Sequence, residues 1–198
     1  MITNSRMARY GDMAVAAYGV AAKVLMIVTL IGIGIGQGIQ PLLGYCVGAK
    51  NWSRYKNALR FSLIFAFVLS SVLTVLCYIF TDQIVSVFLT DLSAFEYGVT
   101  FSRILLSTSF LFGVFYVLIN ALQACGAAKE SLIVNISRQG LIYIPAMFLL
   151  GALLHETGLI WAQPVADVLS LVLAVILYWK ASKRIMGSTE LQKEDLPQ

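Results

Sequence analysis

Charge is what this sequence lacks most. Of its 198 residues only 12% are Asp, Glu, Lys or Arg, about half the share found in a soluble domain. Whole windows contain none at all: 24–49, 61–81 and 104–128. A helix that is apolar all round needs lipid or a large core around it, so a small water-soluble domain is excluded. Histidine occurs once, and the three cysteines stand apart at Cys46, Cys77 and Cys125. Neither a zinc spacing nor a disulfide framework is present, and these thiols are expected to be reduced packing residues. No H-E-x-x-H and no G-x-S-x-G occurs, so two common hydrolytic machineries are missing. A cleavable signal is not expected in residues 1–10, which are polar and lack the apolar core such a signal needs.

What the chain has is hydrocarbon. Apolar residues make up 59% and the mean hydropathy is +0.83. A bilayer-crossing helix needs roughly 20 apolar residues at about 1.5 Å of rise each. Five stretches qualify: 14–43, 58–80, 97–125, 131–154 and 158–179. The predicted fold class is therefore an all-α membrane protein with five transmembrane helices over residues 1–186. The polar end, 187–198, is expected to be a disordered cytoplasmic tail. Between the second and third spans, Ile84, Phe88, Leu92 and Phe95 fall at helical spacing and predict a short helix at the outer interface.

The loops are unequal in charge. Lys50, Arg54 and Lys56 follow the first span, Lys129 the third, and Lys180, Lys183 and Arg184 the fifth. The loop after the second span carries Asp82, Asp91 and Glu96 without a basic residue. Positive-inside reasoning places the first and third loops and the C-terminus in the cytoplasm, with Arg6 and Arg9 as minor exceptions outside. Topology accounts for the basic residues, so no nucleic-acid partner is expected.

Function must then sit on the few polar residues inside the spans. The end of the first span holds Gly32/Gly36, Gly34/Gly38 and Gly44/Gly48, small-xxx-small pairs that admit a second backbone or let the helix bend. On the third span Ser102, Ser109, Gly113, Tyr116, Asn120 and Gln123 fall within about 80° of arc. Such a stripe faces either a wet cavity or a hydrogen-bonding neighbour, and the pattern leaves both open. Gln37 and Gln40 on the first span and Arg138 and Gln139 on the fourth complete the cavity candidates. Lys23 and Asp167 are the deep charges. Each lies nine residues from the outer start of its span, roughly 13 Å down by helical rise. An unpaired charge there costs at least ~2.5–3.5 kcal/mol, so a Lys23–Asp167 pair is one expectation and separate satisfaction the other. Pro164 predicts a kink beside Asp167.

These residues also carry a resemblance. Ala-Ala-Tyr-Gly (16–19), Gly-Ile-Gln-Pro-Leu-Leu-Gly-Tyr (38–45), Gly-Ala-Lys-Asn (48–51) and Arg54 are similar to the opening of the second lobe of the multidrug and toxic compound extrusion (MATE) family. Leu122-Gln-Ala-Cys-Gly126, Ser137-Arg-Gln139 with Pro145, and the stretch Gly158 to Asp167 continue the match in the family's order. The resemblance implies twelve helices in two lobes, of which this chain resembles the last five, with Met1 internal to a longer protein. It implies antiport of organic cations or drugs against H⁺ or Na⁺ in the plasma membrane, without covalent chemistry, resident metal or cofactor. The partners it implies are the lipid bilayer and the N-terminal lobe of the same transporter. Asn120 stands where the sodium-coupled branch of the family has an acid, which puts the coupling residue outside this chain. A lipid-linked polysaccharide flippase of related fold and a non-catalytic membrane subunit are the alternatives.

Overall fold

The computed structural model describes residues 7, 11–89 and 91–194, and within the last range the side chains of 153–156 and 186–194 are not described. Among the described residues the only regular elements are helices. They run α1 (Asp12–Gly48), α2 (Trp52–Ile79), α3 (Thr81–Phe88), α4 (Leu92–Leu106), a 3₁₀ turn (Ser109–Leu111), α5 (Phe112–Ala124), α6 (Ala128–Ile136), a π turn (Ser137–Leu141) and α7 (Tyr143–Glu194). Five stretches are long and apolar enough to cross a membrane: Asp12–Gly48, Trp52–Ile79, Leu92–Ala124, Ala128–Ala152 and Thr157–Ile185. The predicted set of five therefore stands, with ends shifted by one to six residues.

Local chemistry sets the ends. The Asn51 side chain accepts a hydrogen bond from Arg54 N at 3.0 Å and starts α2. Asp91 Oδ1 accepts from Ser93 N at 2.9 Å and Ala94 N at 3.2 Å and starts α4. Side-chain oxygens at this position satisfy amides that the first turn leaves unpaired. Gly126 ends α5 with φ +74°, and Ala127 N returns to Leu122 O at 2.9 Å. That closure needs a left-handed residue, which glycine supplies at no steric cost.

α7 is helical along its whole length, yet it is not one rod. Arg138 meets Asp167, and Glu130 meets Arg184 at 2.8 Å. In a straight helix the first pair, 29 residues apart, would be separated by about 43 Å. Gly151 also lies against Leu159. The chain thus reverses between Ala152 and Thr157, and the fourth and fifth spans form an antiparallel hairpin.

Three expectations change. The interface helix ends at Phe88, so Leu92 and Phe95 belong to α4; Val85 is fully buried while Phe88 is exposed. The third span is interrupted at 107–111, where Ser107 Oγ and Ser109 Oγ donate to the carbonyls of Ile104 and Leu106. Serine hydroxyls that bond back to the main chain compete with the helix ladder. Beyond Ile185 the backbone stays helical to Glu194 rather than giving way at 187, and 195–198 lie outside the described residues. Glu190, Leu191, Gln192 and Lys193 all have high helix propensity.

α1 is the central element and packs against α2, α4 and α5. Its crossing with α5 is a close one. A Cβ on Gly36 would lie 2.8 Å from the Tyr116 carbonyl oxygen and 2.5 Å from Asn120 Nδ2, and one on Gly32 would lie 3.2 Å from the Tyr116 ring. Gly113 makes the matching approach to the Ala66 carbonyl and Ser70 hydroxyl of α2. Gly34, Gly38, Gly44 and Gly48 meet nothing within 4 Å. Of the three glycine pairs, one is a packing motif and two look outward.

Candidate functional site: a buried ion pair behind a tyrosine-lined cavity

The two deep charges are satisfied separately. Asp167 Oδ1 accepts from Arg138 Nε at 2.8 Å and from Gln163 Nε2 at 3.2 Å. Both charged side chains are more than nine-tenths buried. Lys23 is exposed, with its ammonium 5.3 Å from the centre of the Phe88 ring. Of the two expectations, separate satisfaction is the one the geometry shows. The hairpin sets Arg138 beside Asp167 from the neighbouring helix, and Arg138 lies ten residues into a span that begins at Ala128, too deep for it to reach the interface with ease.

Arg138 has further anchors besides Asp167. A second guanidinium nitrogen, Nη1, donates to the Tyr116 hydroxyl at 3.0 Å. The guanidinium carbon stands 4.5 Å from the Phe112 ring centre and 4.9 Å from that of Phe115. A cation over desolvated aromatic faces gains ~2 kcal/mol, which offsets part of its burial. The π turn at Ser137–Leu141 carries Arg138. Such turns add a residue to the helix and re-aim the side chains that follow.

One face of this cluster opens into a cavity of about 260 Å³ lined by Tyr18, Thr29, Tyr116, Arg138, Gln139, Tyr143 and Gln163. Asp167 is not in the lining; it sits behind Arg138. The cavity wall is thus three tyrosines, amide and hydroxyl groups, and a guanidinium whose charge is balanced from the back.

The candidates separate into distinct places. Tyr116, Arg138 and Gln139 line the cavity. Gln40 Nε2 donates to Gln123 Oε1 at 3.3 Å, and Gln123 Nε2 to Ser131 Oγ at 2.9 Å, a chain near the far ends of their helices. Asn120 Nδ2 donates to the Tyr116 carbonyl at 2.8 Å, against Gly36. Ser109 Oγ shares a 2.9 Å bond with Thr74 Oγ1 of α2. Gln37 lies on the exposed face of α1. Most of the third-span stripe therefore bonds neighbouring helices or its own backbone, and Tyr116 alone among the stripe residues reaches the cavity.

Tyr18, Thr29 and Tyr143 are not among the cavity residues expected from the sequence, where Tyr18 enters only within the Ala-Ala-Tyr-Gly motif. Tyr18 and Thr29 are eleven residues apart, three helical turns and so on one face. That spacing was a usable signal. Tyr143 offered none, since its direction follows from the π turn.

Residues 1–149 match the family model MatE. The chain belongs to the MatE family. It is 28% identical over 190 residues to the multidrug export protein MepA of Staphylococcus haemolyticus, covering 93% of this chain and 40% of that protein. MepA of Staphylococcus aureus strain NCTC 8325 is likewise 28% identical, over 96% of this chain and 42% of its own length. Among solved structures, the MATE multidrug transporter DinF-BH in complex with R6G superposes with a TM-score of 0.78 at 32% identity, over 92% of this chain and 41% of that one. The Vibrio cholerae MATE transporter VcmN in its bent form reaches 0.85 at 17% identity, a likeness of fold. The chain spans about two-fifths of the length of these MatE relatives. Family and apolar helices together make it a multi-pass membrane protein that matches one MATE lobe.

Proposed function

We propose that this chain is the C-terminal lobe of a cation-coupled antiporter that exports organic cations or drugs across the plasma membrane. The observation that carries the reading is the cavity. Its formal charge is balanced, and Tyr18, Tyr116 and Tyr143 line it. Aromatic faces attract a delocalised organic cation, while an unopposed guanidinium would repel it. Transport of this kind requires no bond-making, only unequal binding of substrate and coupling ion to two conformations.

The site of the coupling ion, H⁺ or Na⁺, is proposed to lie outside this chain. Asn120 is a neutral amide committed to the Tyr116 carbonyl, so it neither carries a proton nor neutralises a cation. The flippase alternative is weaker, because Arg103 is bonded to Asp82 and Arg138 to Asp167, leaving little free positive charge for a phosphate-linked lipid. Orientation follows the basic loops, with the C-terminus in the cytoplasm.

The test is ethidium efflux from cells expressing the full-length transporter. Tyr116→Leu is expected to slow efflux roughly tenfold, the loss of ~1–2 kcal/mol of ring contact, at unchanged membrane abundance. Wild-type cells that clear ethidium no faster than vector controls would refute the reading.

A further inference from the structure

A charged side chain in a cavity wall sets which solutes can enter, and here that charge is cancelled by a residue the solute never touches. Arg138 lines the cavity; Asp167, 2.8 Å behind it, does not. The other lining residues, Tyr18, Thr29, Tyr116, Gln139, Tyr143 and Gln163, are neutral. The net charge presented to a bound solute therefore depends on one carboxylate. Resting on the efflux reading above, we propose that Asp167 is the specificity-determining residue of this lobe: by neutralising Arg138 from behind, it admits cationic solutes to a cavity that would otherwise reject them.

The alternative role for such a pair is cohesion of the hairpin. Energetics argue against cohesion as the main contribution. Two desolvated charges recover little more than their burial costs, and apolar residues of similar volume hold a fold as well or better. Arg138 also has anchors independent of Asp167, the Tyr116 hydroxyl at 3.0 Å and the Phe112 and Phe115 rings. With the carboxylate gone, the guanidinium has reason to stay where it is, uncompensated and facing the cavity. Like charges about 7 Å apart at an effective dielectric of ~20 repel strongly enough to weaken binding tenfold or more.

The experiment measures binding of two ligands of one ring system, cationic ethidium and uncharged phenanthridine, to purified full-length transporter. Three proteins are compared: wild type, Asp167→Asn, and the doubly neutral Asp167→Asn with Arg138→Met. Expected are a rise of at least tenfold in the ethidium Kd for Asp167→Asn, a phenanthridine Kd within about twofold of wild type, and recovery of ethidium binding in the double variant to within about threefold. Ethidium binding by Asp167→Asn at wild-type strength would overturn the proposal. So would equal loss of both ligands, which is what a purely structural role predicts, or a double variant that stays as weak as the single one. Wild-type protein that binds phenanthridine and rejects ethidium would overturn the cation-export reading, and this inference with it.

Discussion

Gly36 and Asn120 are in contact to the limit of van der Waals packing: a methyl on Gly36 would stand 2.5 Å from the Asn120 amide nitrogen. Two turns of α1 and α5 touch backbone to side chain there, and the cavity residue Tyr116 sits one turn away on α5. A glycine thus helps to position the site's wall, alongside the polar groups that bond Tyr116.

Gly36→Ala should accordingly push α1 off α5 and cost about 1–3 kcal/mol, as overpacking does. Gly34→Ala, which meets only open space, should be neutral or gain up to ~1 kcal/mol from better helix propensity. Thermal unfolding of the full-length transporter in detergent, followed by size-exclusion recovery, separates the two. Equal effects would mean that the stretch acts as a hinge along its whole length.

Asn120→Leu tests whether that residue is a wall of the cavity or a packing piece. The structure makes it packing, so the variant should lose stability by ~1–3 kcal/mol through the Gly36 contact and the lost bond to Tyr116 O. Ethidium efflux should fall in proportion to folded protein. A fall in efflux at unchanged stability and abundance would return Asn120 to the cavity.

Two ion pairs offer a contrast in burial. Arg103 and Asp82 are each about half exposed, so Asp82→Ala should cost no more than ~1 kcal/mol, less still in high salt. Arg138→Met leaves Asp167 buried without its partner and should cost ~3–5 kcal/mol. Denaturation midpoints at low and high ionic strength read both effects in one series.

Lys23 was the other candidate partner of Asp167. Since it is exposed and rests on Phe88, Lys23→Gln should shift the melting temperature by less than Arg138→Met does, within about 0.5 kcal/mol of wild type. A loss comparable with that of Arg138→Met would show that Lys23 shares the carboxylate.

Sidedness is open to direct labelling. In full-length protein stripped of native cysteines, a cysteine replacing exposed Ser53 should react with a membrane-impermeant maleimide only from the cytoplasm. One replacing exposed Ser93 should react only from outside. The reverse pattern would invert the topology.

Much of this was legible in the residues themselves. The five spans follow from uninterrupted apolar windows, and Gly126, Asn51 and Asp91 mark helix ends through chemistry that acts over a few residues. The deep charges were legible as residues in need of partners. Their partners were not, because pairing between spans depends on a register that no single span encodes. The stripe on the third span likewise has two uses that the sequence does not distinguish. Ser109 and Asn120 look as suited to a cavity as Tyr116 does; Thr74 and Gly36, 35 and 84 residues away in the chain, claim them for packing.

Lipid exposure and family membership were settled by the sequence alone, since hydropathy sums along twenty consecutive residues and motif order is read in one dimension. Which carboxylate meets which cation was decided only in three dimensions. The reversal between Ala152 and Thr157 sets the register of the last two spans, and the π turn re-aims Arg138 within it. Both are long-range consequences of packing, and a shift of one residue in either would hand Asp167 a different neighbour.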